Sequence, residues 1–198
     1  MIKIGDIKGI EIYSGQIMSR VIAKQDDLDV QRLRVIVPKA ISSIGTINIE
    51  ELPTECFKPN IFNTKDTRIT QIGDIVIKLS TPYDSAIITE ETAGCVVPSF
   101  CAIIRNYSSI KTEYLQAFLS SKLCKEQLKS QVVGMVMTIL SVGKIKDIKI
   151  PIPSQERMVE IGEKYMEVQN RVTVLEQIIK LESKRNDIVF NTLENEND

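Results

Sequence analysis

From Leu33 to Ile104 the chain alternates short apolar runs with proline, glycine and polar breaks, the pattern of strands joined by loops. Strands are predicted at Leu33–Val37, Gly45–Ile49, Ile69–Leu79, Ala86–Thr89 and Cys95–Ile104. The period then lengthens. Leu115, Leu119 and Leu123 recur at four-residue steps with Tyr114 and Phe118 beside them, while Lys122, Lys125 and Lys129 fall elsewhere. This predicts an amphipathic helix from about Thr112 to Gln131. After Gly134 come a short apolar loop, a helical turn opened by Ser141, and then Ile148-Lys149-Ile150-Pro151-Ile152-Pro153, whose two prolines force an extended exit.

Beyond Ser154 there is no proline and one glycine, Gly162, in a run rich in Glu, Lys, Gln and Ile that predicts one long helix with Ser154 as its N-cap. Met158, Ile161, Tyr165, Val168, Val172, Leu175 and Ile179 alternate steps of three and four, the seam of a coiled coil. The same register places Glu182 and Asn186 on the seam before Val189 and Leu193. A polar residue in such a seam costs stability and fixes register, which points to a specified partner helix. At a rise of 1.5 Å per residue the helix spans roughly 60 Å, more than the rest of the chain can cover. A helix folded back on its own domain is the alternative. The reading is α+β: a mixed-sheet domain over residues 1–153, a coiled-coil helix over 154–194 and a frayed tail at 195–198.

Length and composition set the outer bounds. With 198 residues, 43% hydrophobic and 26% charged, the chain suits one globular domain with an appendage. Its least polar run, Val132 to Val142, is too short to cross a bilayer, and Met1-Ile2-Lys3-Ile4-Gly5-Asp6 lacks a signal-peptide layout, so a cytoplasmic location is expected and no membrane partner. A formal net charge of −1 hides an asymmetry: residues 1–30 carry 4 basic against 5 acidic groups, residues 31–150 carry 15 against 11, and residues 151–198 carry 6 against 10. The mildly basic middle also holds seven of the ten aromatic residues, which suits contact with nucleic acid; ordinary surface charge is equally compatible with it.

Much chemistry is excluded. With no histidine there is no serine triad, Cys-His dyad or histidine-ligated zinc. Cys56, Cys95, Cys101 and Cys124 form no Cys-x-x-Cys pair, so reduced core thiols are expected and no metal. Neither a Gly-rich dinucleotide turn nor a Walker loop occurs, and the Asn/Asp-Pro-Pro-aromatic motif of amino-methyltransferases is absent. Glu182-Ser183-Lys184 has nuclease-like spacing but lies far along the predicted rod with no matching upstream acid; adjacent pairs such as Glu90-Glu91 point to opposite faces of a strand. No catalytic constellation emerges.

Three phrases carry a family resemblance. Gly73-Asp74-Ile75-Val76-Ile77-Lys78-Leu79-Ser80-Thr81-Pro82-Tyr83-Asp84 is followed by Val97-Pro98-Ser99-Phe100 and Ile103-Ile104-Arg105; then come Tyr114-Leu115-Gln116-Ala117-Phe118-Leu119-Ser120-Ser121 and Ile150-Pro151-Ile152-Pro153-Ser154-Gln155-Glu156-Arg157. In this order they resemble half of a type I restriction-modification specificity subunit, a target recognition domain and its conserved helix. The resemblance covers nearly the whole chain and is weakest over residues 1–60. It implies a non-catalytic subunit that reads half of a bipartite site on double-stranded DNA and docks methyltransferase subunits. S-adenosylmethionine would be the partner's cofactor, with none bound here, and a restriction subunit is left open as a further partner. Subunits of this family normally carry two domains and two helices, so two copies are expected to associate through their helices and read an interrupted palindrome. The interface candidates are Ile161, Tyr165, Val168, Val172, Leu175, Ile179, Asn186 and Val189; the DNA-facing candidates are Lys39, Lys65, Arg68, Lys78, Thr81 and Tyr83. The apolar Gly134-Met135-Val136-Met137-Thr138 departs from the polar residues frequent there, leaving core, a base-wedging role or weakened DNA reading open. A pure interaction protein, with a degenerate recognition domain and its coiled coil as the working surface, is the alternative function.

Overall fold

The computed structural model describes residues 1–24, 29–62, 66, 68–131 and 139–195; in the last helix its described side chains run to Arg185, with Ile188 beyond. The strands are β1 (Ile2–Lys3), β2 (Ile10–Ser14), β3 (Gln31–Arg34), β4 (Thr54–Phe57), β5 (Ile75–Lys78), β6 (Ser85–Ile87), β7 (Cys101–Asn106) and β8 (Lys149–Ile150). The helices are α1 (Met18–Val21), α2 (Thr112–Ser120), α3 (Lys122–Ser130), α4 (Val142–Lys146) and α5 (Gln155–Asn195), with 3-10 turns at Ile4–Asp6, Pro38–Ala40, Ile49–Glu51 and Glu90–Thr92. The α+β class expected from the sequence is the class observed.

The centre is a four-stranded antiparallel sheet in the order β2-β7-β5-β6. Its middle strands read as continuous apolar runs because both faces are covered. On one face Ile75, Ile77, Ala102 and Ile104 pack with Leu115, Phe118 and Leu119 of α2, Cys124 and Leu128 of α3, and Met158 of α5. On the other, Val76 and Ile103 meet Ile36, Ala40, Ile41 and Leu52 from the looped segment before β4. A smaller core of Val21, Val35, Phe57, Phe62, Ile69 and Val96 sits by the β3–β4 ribbon, with Phe57 edge-on to Phe62 at 5.3 Å between ring centroids. β1 pairs β8 through Ile2 and Ile150, so the N-terminus clamps the chain just before Pro151 and fixes where α5 begins.

Several boundaries differ from the sequence expectation, each for a local reason. The helix predicted over 112–131 is two helices, because Ser121 takes an extended ψ of 153° and its hydroxyl accepts from the Cys124 amide at 3.2 Å, a new N-cap. The restart turns Cys124 and Leu128 inward and leaves Leu123 exposed. The strand predicted from Ile69 begins only at Ile75, after Gly73 turns at φ +84°, and the one predicted from Cys95 begins at Cys101, after a turn closed by Cys101 N–H to Pro98 O at 2.9 Å. Gly45–Ile49 contributes a single bridge, Ile41 to Ile47, instead of a strand.

α5 runs unbroken for 41 residues. Its first turns fold onto the domain, and farther along it keeps an exposed contact there, Lys180 to Glu50 at 3.1 Å. Gly162 permits the close approach: a Cβ there would stand 2.8 Å from Glu113 Cβ and 3.1 Å from the Tyr114 amide, at the N-terminus of α2. Met158 is buried, and Ile161, Tyr165, Val172 and Thr173 are partly buried. Among the described side chains beyond them, Val174, Leu175, Ile178, Ile179, Leu181 and Ile188 are exposed. The predicted seam is thus split. Ile161 and Tyr165 already face their own domain, because α5 folds back for its first five turns, and Val168, Leu175 and Ile179 are the seam residues left in solvent.

Candidate nucleic-acid interface

One end of the central sheet gathers several chain crossings: the end of β2, the β5–β6 connection, the turn into β7, and the segment from Ile139 to Gly143. They are stitched together by backbone bonds, Ser99 N–H to Gln16 O at 2.8 Å, Leu79 N–H to Phe100 O at 2.9 Å and Leu140 N–H to Leu79 O at 2.7 Å. Between them lies a groove of about 750 Å³ lined by Tyr13, Ser14, Arg68, Leu79, Ser99, Ile139 and Ser141, among others. Phe100 and the Thr81-Pro82 tip stand exposed at this end. Phe100 is 57% exposed on a turn bonded on both sides, so its ring is held out by the backbone.

Two charged clusters brace the sheet, one at each end of β5. Buried Asp74 takes Nε and Nη2 of Arg105 at 2.8 and 2.7 Å and the Gln71 amide at 2.8 Å, while Arg105 also donates to Ile69 O at 3.0 Å. The Asp74 carboxylate, through its hydrogen bond, holds the Arg105 guanidinium above its ordinary pKa. Behind the tip, Asp84 receives Lys78 of β5 at 3.1 Å and Lys125 of α3 at 2.9 Å, which ties the turn between β5 and β6 to the helical layer. Tyr13 donates to the Glu11 carboxylate, and that bond together with burial pushes its phenol up to about 12, so it stays a protonated donor. Burial likewise pushes the Cys101 and Cys124 thiols up to about 12. Cys56 alone of the four thiols is exposed.

The predicted DNA-facing residues do not converge. Thr81 is exposed at the tip. Arg68 lines the groove with its side chain 40% exposed, and three of its donors are engaged: Nε and Nη2 bond the Asp66 carboxylate at 2.8 Å each and Nη1 bonds Gln16 Oε1 at 2.6 Å. These bonds hold Asp66 below the usual carboxylate range. Lys78 is directed at Asp84 with its side chain only 14% exposed. Tyr83 is corrected outright: at φ +60° its ring turns into the core with no exposed surface, so it reaches no base edge in this fold. Lys39 is exposed in a different groove, beside Glu50, Thr173 and Lys180. Lys65 and the Gly134–Thr138 loop lie outside the described residues. Phe100, Ser99 and Ser14, which stand at this end, were not among the sequence candidates. The signal for Phe100 was Pro98, which delays the strand to Cys101 and leaves the aromatic residue two positions later on a turn.

α5 offers a second surface. At about 100° per residue, Val168, Leu175 and Ile179 fall within roughly 40° of one another, and Val174, Ile178, Leu181 and Ile188 form a neighbouring stripe about 120° round the helix. Both stripes are exposed among the described residues. Asn186 and Val189 have no described side chains.

A sheet sandwiched between helices and loops, with one long helix leaving after Ile-Pro-Ile-Pro, defines a recognition module set on a helical stalk. Residues 13–186 match the family described as the type I restriction modification DNA specificity domain. The chain belongs to this family. Its fold is similar to that of the HsdS subunit from Thermoanaerobacter tengcongensis, at a TM-score of 0.54 and 16% identity over 89% of this chain and 38% of that one. It is equally similar, at a TM-score of 0.55 and 16% identity over 89% of this chain and 39% of that one, to a chain solved in work on complex assembly and conformational transition of the type I R-M system. The chain therefore spans less than half the length of these two structures. No curated protein sequence matches it. No helix among the described residues is long and apolar enough to cross a membrane.

Proposed function

We propose that this chain is the DNA-recognition subunit of a type I restriction-modification system and performs no chemistry itself. The sheet end around Thr81, Ser99 and Phe100 reads one half of a bipartite site. α5 pairs with α5 of a second copy through Val168, Leu175 and Ile179, and its stripe at Val174, Ile178, Leu181 and Ile188 receives the methyltransferase. The observation that carries the reading is that α5, anchored by its first turns, carries a further row of apolar side chains that are exposed among the described residues, Val168, Leu175 and Ile179 among them. Burying an apolar side chain of this size contributes about 1.5–3 kcal/mol, so leaving this many in water is sustained by partners.

A second reading, a pure interaction protein with a degenerate recognition domain, draws on the commitment of Arg68 and Lys78 to carboxylates. The experiment is co-purification of the chain with the methyltransferase encoded beside it, each complex weighed by light scattering. The expected mass is two copies of each subunit. The double variant L175E/I179E is expected to fall to one copy while its domain melts as before. A wild-type chain that stays single in the complex contradicts the pairing.

A further inference from the structure

Midway along α5 the contact with the domain changes from apolar to polar, and it continues as far as the exposed Lys180–Glu50 pair. Gln169 is 6% exposed although both its neighbours, Val168 and Asn170, are exposed. Its Nε2 donates to the carbonyl of Ile44 at 2.6 Å and to Tyr165 Oη at 3.0 Å. Tyr165 Oη in turn bonds Ser120 Oγ of α2 at 2.8 Å, and Gln116 Nε2 reaches Ser120 Oγ at 3.2 Å and the carbonyl of Ser85 at 2.7 Å. The loop tip is fitted to this cluster. A Cβ on Gly45, which sits at φ +87°, would lie 2.1 Å from Gln169 Nε2 and 2.6 Å from Tyr165 Oη. One network therefore ties α5 to α2, to the Ser42–Thr46 turn and to β6, whose leading turn carries the exposed Thr81-Pro82 tip.

Apolar contacts such as Met158 and Ile161 against α2 tolerate sliding and tilting; directional bonds to buried partners admit one geometry. The precision matters here. A domain of this size has a radius on the order of 20 Å, so a tilt of about 10° on the helix moves a point about 20 Å from the joint by about 3.5 Å, one base-pair step of DNA.

We propose that the cluster of Gln116, Ser120, Tyr165 and Gln169, closed by the Ile44 carbonyl, is the joint that sets the domain's tilt on α5, and with it the number of base pairs accepted between two half-sites. These are positioning residues. The inference rests on the two-copy reading above.

The test uses the full chain co-expressed with its methyltransferase in a host free of other DNA methylation, with methylated motifs mapped across the genome for wild type, Gln169→Met and Tyr165→Phe. Gln169→Met keeps bulk and removes the directional bonds. Tyr165→Phe removes one hydroxyl and decides the matter if the first variant does not fold. The expected result is unchanged half-site letters with methylation spread to gaps one base pair shorter or longer, by at least a tenth of the reads. A folded variant in an intact complex that only melts earlier, or only methylates less at the wild-type gap, overturns the joint and leaves the two-copy reading standing. A wild-type complex that methylates no two-part motif overturns both.

Discussion

Asp74 shows how one carboxylate braces the sheet at the end away from the candidate reading surface. It is buried, bound by two nitrogens of Arg105 and capping its own turn through the Gln71 amide. Removing it leaves a buried guanidinium with no counter-charge, a loss of about 3–5 kcal/mol. Asp74→Ala is therefore expected to lower the urea midpoint sharply, read by circular dichroism; a midpoint close to wild type would contradict the buried pair. Phe100 is the opposite case. Its ring contributes little to the core, so Phe100→Ala is expected to melt like wild type while methylation directed by the chain falls at least tenfold. Equal methylation by that variant would move the reading surface elsewhere. Between these two residues lies the limit of sequence reading: the Gly73–Asp84 phrase located β5 and its exposed tip, but whether a cation faces solvent or a carboxylate depends on contacts such as those of Lys78 and Lys125 with Asp84, which periodicity does not carry. Tyr83 illustrates it best, since a left-handed backbone turns a tip residue into core.

At the scale of elements, the long helix was legible because its pattern is local and sustained, and the α4 turn because Ser141 opens it. The short strands β1 and β2 were not, since two to five residues with mixed patterning acquire their role only from partners far along the chain, Ile150 and β7. Nor was the break at Ser121, where one side-chain cap competes with a continuous apolar stripe and wins. The seam residues of α5 carried two meanings that sequence could not separate, with Ile161 and Tyr165 serving the domain and Leu175 and Ile179 remaining free. The two exposed stripes give this helix separable surfaces. I178E/L181E is expected to keep the two-copy mass and lose the methyltransferase on size exclusion; loss of both together would mean one shared surface.

For the whole molecule, the family match places the chain among DNA specificity domains, and under the proposed pairing the exposed stretch of α5 is the route by which one module becomes two. A two-fold arrangement of identical modules places the same recognition surface at both ends of the site, so its half-sites repeat as inverted copies. The most direct measurement is genome-wide mapping of methylated bases in a methylation-free host carrying the methyltransferase with and without this chain. The account predicts an interrupted palindrome methylated only when the chain is present. Methylation that does not depend on the chain, or a stable complex that methylates no defined sequence, would contradict it.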